Sequence, residues 1–233
     1  FSSFPRLSSL VIPDSIVSIG NQAFKSQSNL TSVSIGNNVK TIGDEAFASN
    51  RALKSVVLGS NITTIGSGAF KACYTLSEIE IPNRVISIGD NAFDRCYELK
   101  SIKLGNSVES IGDYAFARTD NEGTGAEHIV MPDSVKNIGI GAFYALYNLK
   151  SINISKGLTS IPDFAFAHSS GLETISIPDG IESIGKAAFH NTSLTEVILP
   201  ASVTSLGDYA FNPDVRISYK ENEVVDNTAP RVN

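Results

Sequence analysis

Apolar residues recur along this chain with two periods at once. Locally they alternate, as in Val33/Ile35, Val56/Leu58, Ile79/Ile81, Ile102/Leu104 and Ile152/Ile154. A period of two predicts a strand with one side turned inward. Over longer distances the whole arrangement returns. Phe24, Phe47, Phe70, Phe93, Phe116, Phe143, Phe166, Phe189 and Phe211 each follow an Ala. The interval is 23, except for 27 between Phe116 and Phe143 and 22 between Phe189 and Phe211. Five residues before each Phe stands Ile, or Leu206 in the last copy, and Gly follows it in all but one copy, where Pro162 takes its place. A Leu opens most copies, among them Leu30, Leu53, Leu76, Leu99, Leu149 and Leu172.

Each column predicts an element. Pro or Gly ends the strand, at Pro13, Gly36, Gly59, Pro82, Gly105, Pro132, Pro178 and Pro200. Pro is expected there because its missing N–H falls just outside the ladder. The Gly after Ile marks either a bend with positive φ or a close backbone approach. Asp44, Asp90, Asp113, Asp163 and Asp208 predict the N-cap of a single helical turn carrying Ala-Phe. Ser18, Thr41, Thr64, Ser87, Ser110, Ser160, Ser183 and Ser205, with Asn137, form a column whose hydroxyls are expected to bond backbone or neighbouring coils. One copy cannot bury its own Leu, Ile and Phe, so the copies must stack. The expected fold is an α/β solenoid over residues 1–219. It has nine ~23-residue coils, a parallel inner sheet, and short turns or helical turns outside. Residues 220–233 lose the pattern and read as a tail or linker.

The stretch Leu76-Ser-Glu-Ile-Glu-Ile-Pro through Ile88-Gly-Asp-Asn-Ala-Phe-Asp-Arg-Cys96 resembles the BspA-like family of bacterial leucine-rich repeats. That family's pattern reads approximately Leu-x-x-Leu-x-Leu-Pro-x-x-Leu-x-x-Ile-Gly-x-x-Ala-Phe-x-x-Cys. The resemblance implies a right-handed solenoid on a secreted or cell-surface protein of a host-associated bacterium, with adhesin-like binding to a host extracellular or bacterial surface protein. It also implies a buried thiol stack at Cys73 and Cys96; the alternative, a disulfide, needs Cα atoms within ~6.8 Å. Phe1 lies one period before Phe24, and neither an initiator Met nor a signal peptide opens the chain, so further copies are expected upstream.

Composition narrows the chemistry. With 18 Lys+Arg against 24 Asp+Glu the net charge is −6, and no basic stripe exists for nucleic acid. No apolar run approaches the ~18 residues of a membrane helix. His128, His168 and His190 fall in three phases of the repeat, and no Gly-x-Ser-x-Gly elbow occurs, so no catalytic centre is expected. The two cysteines lack a zinc spacing, and no metal or cofactor is expected. Candidate binding residues lie instead on the outward side of the strands: Lys54, Glu78, Glu80, Lys100, Lys103, Glu127, His128, Lys150 and Asn153. Their sign alternates from coil to coil, which fits either a self-neutralising ladder or a polar protein-binding strip. The long interval adds a second candidate: the Arg118–Gly125 insertion with Asp120 and Glu122, followed by an apolar outer turn with Tyr144 and Tyr147. It reads either as a drifted surface loop or as a binding loop. The expected function is protein recognition by a monomer without catalysis; the alternative is a passive spacer that displays another domain.

Overall fold

The computed structural model describes residues 7–118 and 125–220. Every strand pairing is parallel, and the register follows the repeat: Leu10 lies beside Val33, Val33 beside Val56, and Ile19 beside Ile42. The longer interval does not disturb it, since Ile111 still meets Ile138. Each coil carries a strand of three or four residues, such as Ser32–Ile35, and a two-residue strand, such as Thr41–Ile42. Leu, Ile and Val from both strands fill the interior with the Phe column, whose rings from Phe47 to Phe189 are fully buried. Successive rings stack at 5.1–5.6 Å between centroids and within 14° of parallel, from Phe24 to Phe211. At that spacing nearly parallel rings are offset, the arrangement aromatic quadrupoles favour.

The expected helical turn around Ala-Phe is absent. Among the described residues there is no helix, so the molecule is a β-solenoid and not α/β. Left-handed residues flank each corner and break any helix: Glu45 and Ser49 have φ of 52° and 61°, Asn91 and Arg95 of 55° and 63°. Alternate amides therefore point along the solenoid axis. Glu45, Phe47 and Ser49 donate forward to the carbonyls of Ser67, Ala69 and Lys71 at 2.7–2.8 Å. The Asp column does not cap helices either. Asp44 Oδ1 accepts from the Ser67 amide at 2.8 Å and Asp163 Oδ1 from Lys186 at 2.7 Å, and Asp90 and Asp113 likewise fasten their coils to the next.

The Gly after Ile is there for space. A Cβ on Gly43 would stand 2.6 Å from the Asn21 nitrogen and 2.7 Å from the Gly20 carbonyl carbon. None of the positive-φ glycines, Gly68, Gly125, Gly141 and Gly180, belongs to this column. Its amides donate back one coil, Gly43 to Ile19 and Gly139 to Ile111, at 2.8 Å. Pro162 has no such amide. There the two-residue ladder, continuous from Ser18–Ile19 to Asn137–Ile138, stops, and Ser160–Ile161 begins another.

Proline also marks where the longer strands part, and the amide it lacks, expected to fall outside the ladder, joins coils at two copies of that column. At the strand-ending column Gly36 donates to the Ile12 carbonyl and Lys220 to that of Leu199, both at 2.8 Å. Strands ending without Pro pair with their predecessors, as Ser32–Ile35, Ser55–Val57, Ser101–Lys103, Ser151–Asn153 and Arg216–Tyr219 do. Glu78–Glu80, His128–Val130 and Glu196–Leu199, followed by Pro82, Pro132 and Pro200, pair only with the strand after them. The coil of Pro178 keeps a single bridge, Asn153 to Ser176. The strand face is thus cut into short blocks, while the Phe corner stays hydrogen-bonded along the described solenoid.

The Ser/Thr column differs from expectation as well. Ser18, Thr41, Thr64, Ser87 and Ser110 hold their ladder through the backbone. Hydroxyls that bridge coils sit one residue earlier, Thr63 donating to the Lys40 carbonyl at 3.2 Å and Thr204 to that of Glu182 at 3.4 Å. Cys73 and Cys96 are free and buried, their thiols 3.3 Å from the carbonyls of Phe47 and Phe70. Burial pushes the Cys73 thiol up to about 12 and raises that of Cys96 as well. Neither is expected to react with iodoacetamide in the folded protein at neutral pH, and both are expected to react after denaturation without reductant. Mass spectrometry showing no modification after denaturation would mean a disulfide. Because the folded state keeps these protons longer, stability is whole below the ordinary thiol value near 9 and falls as pH rises from there toward 12.

Candidate functional site

The strand face carries the predicted residues as an exposed strip, but it does not pair them all. Lys103 meets Glu80 at 2.5 Å and Lys150 meets Glu127 at 2.9 Å, each one coil apart. The Lys150 hydrogen bond holds the Glu127 carboxyl below the usual carboxylate range. Both pairs are well exposed, so solvent screens them and they add little to stability. Lys54, Glu78 and Lys100 form no ion pair among the described residues, so the alternation of sign is only partly a ladder. Asn153 lies exposed beside Val130 in the register.

His128 Nδ1 lies 2.8 Å from the Ser151 hydroxyl, a contact that the phase argument from the sequence missed. Register places the two side by side, since the four inserted residues precede the strand of His128. The pair is exposed, and no carboxylate hydrogen-bonds the ring's other nitrogen among the described contacts, so the orienting group that activates a serine is not in place.

Two further features went unread in the sequence. Outward strand positions carry exposed aliphatics, Val11, Val57, Val130 and Ile198, each 57–71% exposed. The signal was parity: Val57 lies between the inward Val56 and Leu58, so its own side chain must face out. The second is a groove of about 610 Å³ where Ser55–Val57 and Glu78–Glu80 fail to pair. Val57, Glu78, Glu80, Arg84 and Lys103 are among the residues that line it.

Tyr144 and Tyr147 belong to another face. Tyr144 sits on the outer wall, its ring 6.2 Å from Tyr114 and 5.2 Å from His168, in a row that continues through His190 to Tyr209. Tyr147 is 38% exposed. Asp120 and Glu122 lie outside the described residues. Arg118, at the edge of the insertion, reaches back to Asp94, whose carboxylate is fully buried with Arg118 and Lys71 at 3.3 Å and Arg95 at 3.8 Å. No group of three or more His, Cys, Asp or Glu is placed to hold a metal ion among the described residues. No described helix is long and apolar enough to cross a membrane.

A family model described as the BspA type leucine rich repeat region, with 6 copies, matches residues 1–123 and 122–218. No curated protein matches the sequence. Among solved structures, a leucine-rich repeat protein of T. pallidum is 25% identical with a TM-score of 0.57, covering 77% of this chain and 72% of that one. A leucine-rich repeat protein from Bacteroides ovatus is 22% identical with a TM-score of 0.57, covering 95% of this chain and 86% of the other. The pneumococcal vaccine antigen PcpA is 23% identical with a TM-score of 0.54, covering 96% and 74% respectively.

Proposed function

The chain belongs to the BspA-type leucine-rich repeat family, and from that premise we propose that its solenoid is a non-catalytic recognition module of a secreted or cell-surface bacterial protein. It binds a host extracellular or bacterial surface protein through the strand face. The observation that carries this reading is the strand face itself, where Lys54, Glu78 and Lys100, without an ion pair among the described residues, stand with exposed Val57 and Val130. Charge without a partner gives orientation, and exposed aliphatics give area to remove from water. The similarity to a vaccine antigen supports a surface location.

The continuous hydrogen-bonded corner with its Phe stack also suits a stiff spacer, and one experiment separates the two roles. The immobilised solenoid is offered extracellular host proteins, the bound protein is identified, and its affinity is measured against wild type and Lys100→Glu/Lys103→Glu. Recognition by the strand face predicts at least a tenfold loss in the double variant. Binding unchanged by the reversal excludes the strip, and a solenoid that binds nothing while neighbouring domains bind is a spacer.

A further inference from the structure

The buried Asp94 carboxylate is met by basic side chains from three successive coils. Lys71 reaches it from the coil before, Arg95 from its own and Arg118 from the coil after, at 3.3, 3.8 and 3.3 Å. Asp94 itself is fully buried, whereas the three bases keep 38–44% of their side-chain surface open to solvent. The corner backbone fixes where two of them start. The Arg95 and Arg118 amides donate along the axis to the carbonyls of Ala117 and Tyr144, at 3.1 and 2.8 Å.

The charges at this point do not balance. One carboxylate meets three cations, and no other carboxylate forms an ion pair with them among the described residues. Glu45, also within reach of the Lys71 charge, is taken up by Lys25 at 2.6 Å and Gln22 at 2.7 Å. A surplus of positive charge therefore stands on the outer corner of a chain whose net charge is −6. The hydrogen bonds do not balance either. Both Asp94 oxygens and Arg118 Nε are buried without a hydrogen-bond partner among the described residues, while Lys71 donates sideways to Asn91 Oδ1 at 3.1 Å. The bases thus gather round Asp94 by charge and not by directed hydrogen bonds, which leaves donors for a further acceptor. Cations held this close repel one another, and a second anion beside them relieves that repulsion.

We propose that Lys71, Arg95 and Arg118 bind a tetrahedral dianion, a phosphate or sulfate group, with Asp94 holding the three bases together. One carboxylate against three bases leaves two positive charges, which a dianion neutralises, and guanidinium forks suit its oxygens. The site lies beside the Phe corner and does not depend on the strand face binding protein.

The test titrates the full chain, labelled with nitrogen-15 in arginine, with inorganic phosphate, inorganic sulfate and phenyl phosphate. Chloride holds the ionic strength constant at about pH 7.5, where the phosphate monoester is mostly a dianion. The Nε–H signals of Arg95 and Arg118 are expected to move saturably with at least one of the three. Tighter binding of phenyl phosphate supports an ester carried on a larger molecule as the source, and tighter binding of the inorganic ions supports a free anion. Arg95→Gln and Arg118→Gln each leave two bases round Asp94, and each is expected to weaken binding roughly tenfold at a melting temperature near that of wild type. Lys40→Gln removes the same charge from an exposed position elsewhere and is expected to leave binding unchanged. Shifts that do not saturate, that chloride alone reproduces, or that Lys40→Gln weakens as much as Arg118→Gln overturn the proposal. So does binding that appears only after Asp120→Asn/Glu122→Gln, since the chain's own carboxylates would then be the partner of the three bases.

Discussion

Replacing Phe93 by Ala is expected to lower the melting temperature by about 10 °C. The ring is fully buried and stacked on both sides, 5.4 Å from Phe70 and 5.1 Å from Phe116. Losing a buried Phe costs roughly 3–5 kcal/mol in transfer and cavity terms. In a domain of this size each kcal/mol moves the midpoint by about 2–4 °C. The cavity cannot collapse cheaply, because the Phe93 amide is tied to the Ala115 carbonyl at 2.7 Å and the corner on either side is tied likewise. A stacked array transmits damage only to neighbouring coils. Hydrogen exchange should therefore quicken at Phe70 and Phe116 and stay slow at Ile42 and Ile184. Phe24→Ala provides the scale: that ring is only partly buried, and its cost should be about half. A wild-type melting temperature in Phe93→Ala would overturn the stacking account.

The strands, the coil length and the stacking column were legible because each rests on side-chain burial, which leaves a period in the sequence. Val33, Ile42 and Phe47 are inward for the same reason that they recur. The corner was misread as helical because its conformation is set by where backbone amides point, and residues as different as Glu45, Tyr114 and Ala187 share a left-handed φ there. No side-chain pattern marks that. The same limit hid the breaks in the strand face. Pro82 and Gly36 look like equivalent strand ends, yet only Gly36 donates to the preceding coil. Of the candidate site, the charges could be placed by parity alone, since outward positions alternate with inward ones. Which of them neutralise each other depends on reach across a coil: Lys103 finds Glu80, whereas Lys100 makes no ion pair among the described residues. The groove needed the missing ladder, and Asp94 with its three cations sits in a column where other coils carry Lys, Ala, Tyr, His or Asn.

Two Gly→Ala substitutions 21 residues apart should differ sharply, and the contrast tests what the Gly column does. At Gly89 a Cβ would stand 2.6 Å from the Ser67 nitrogen, 2.7 Å from the Gly66 carbonyl carbon and 2.9 Å from the Ser67 Cα. All three belong to the backbone of the preceding coil, so relief requires one coil to move off the other. That movement stretches the bond from the Gly89 amide to the Ile65 carbonyl, now 2.8 Å. Overpacking of about 2 kcal/mol and a weakened hydrogen bond of about 1 kcal/mol together predict a fall of roughly 6–12 °C. Gly68 looks the more constrained of the two, because its φ is +61°. Yet its column holds Glu45 and Asn91 at 52° and 55°, and the nearest atom to an added Cβ is the flexible Glu45 side chain at 3.3 Å. Gly68→Ala should therefore cost no more than about 1–2 kcal/mol. Thermal melts of the two variants decide the matter. If Gly68→Ala were the more damaging, backbone conformation and not close approach would govern the coil spacing. Pro162, where the two-residue ladder has parted, carries a Cβ and lacks the amide at once, whereas Gly89→Ala keeps the amide and so tests crowding alone.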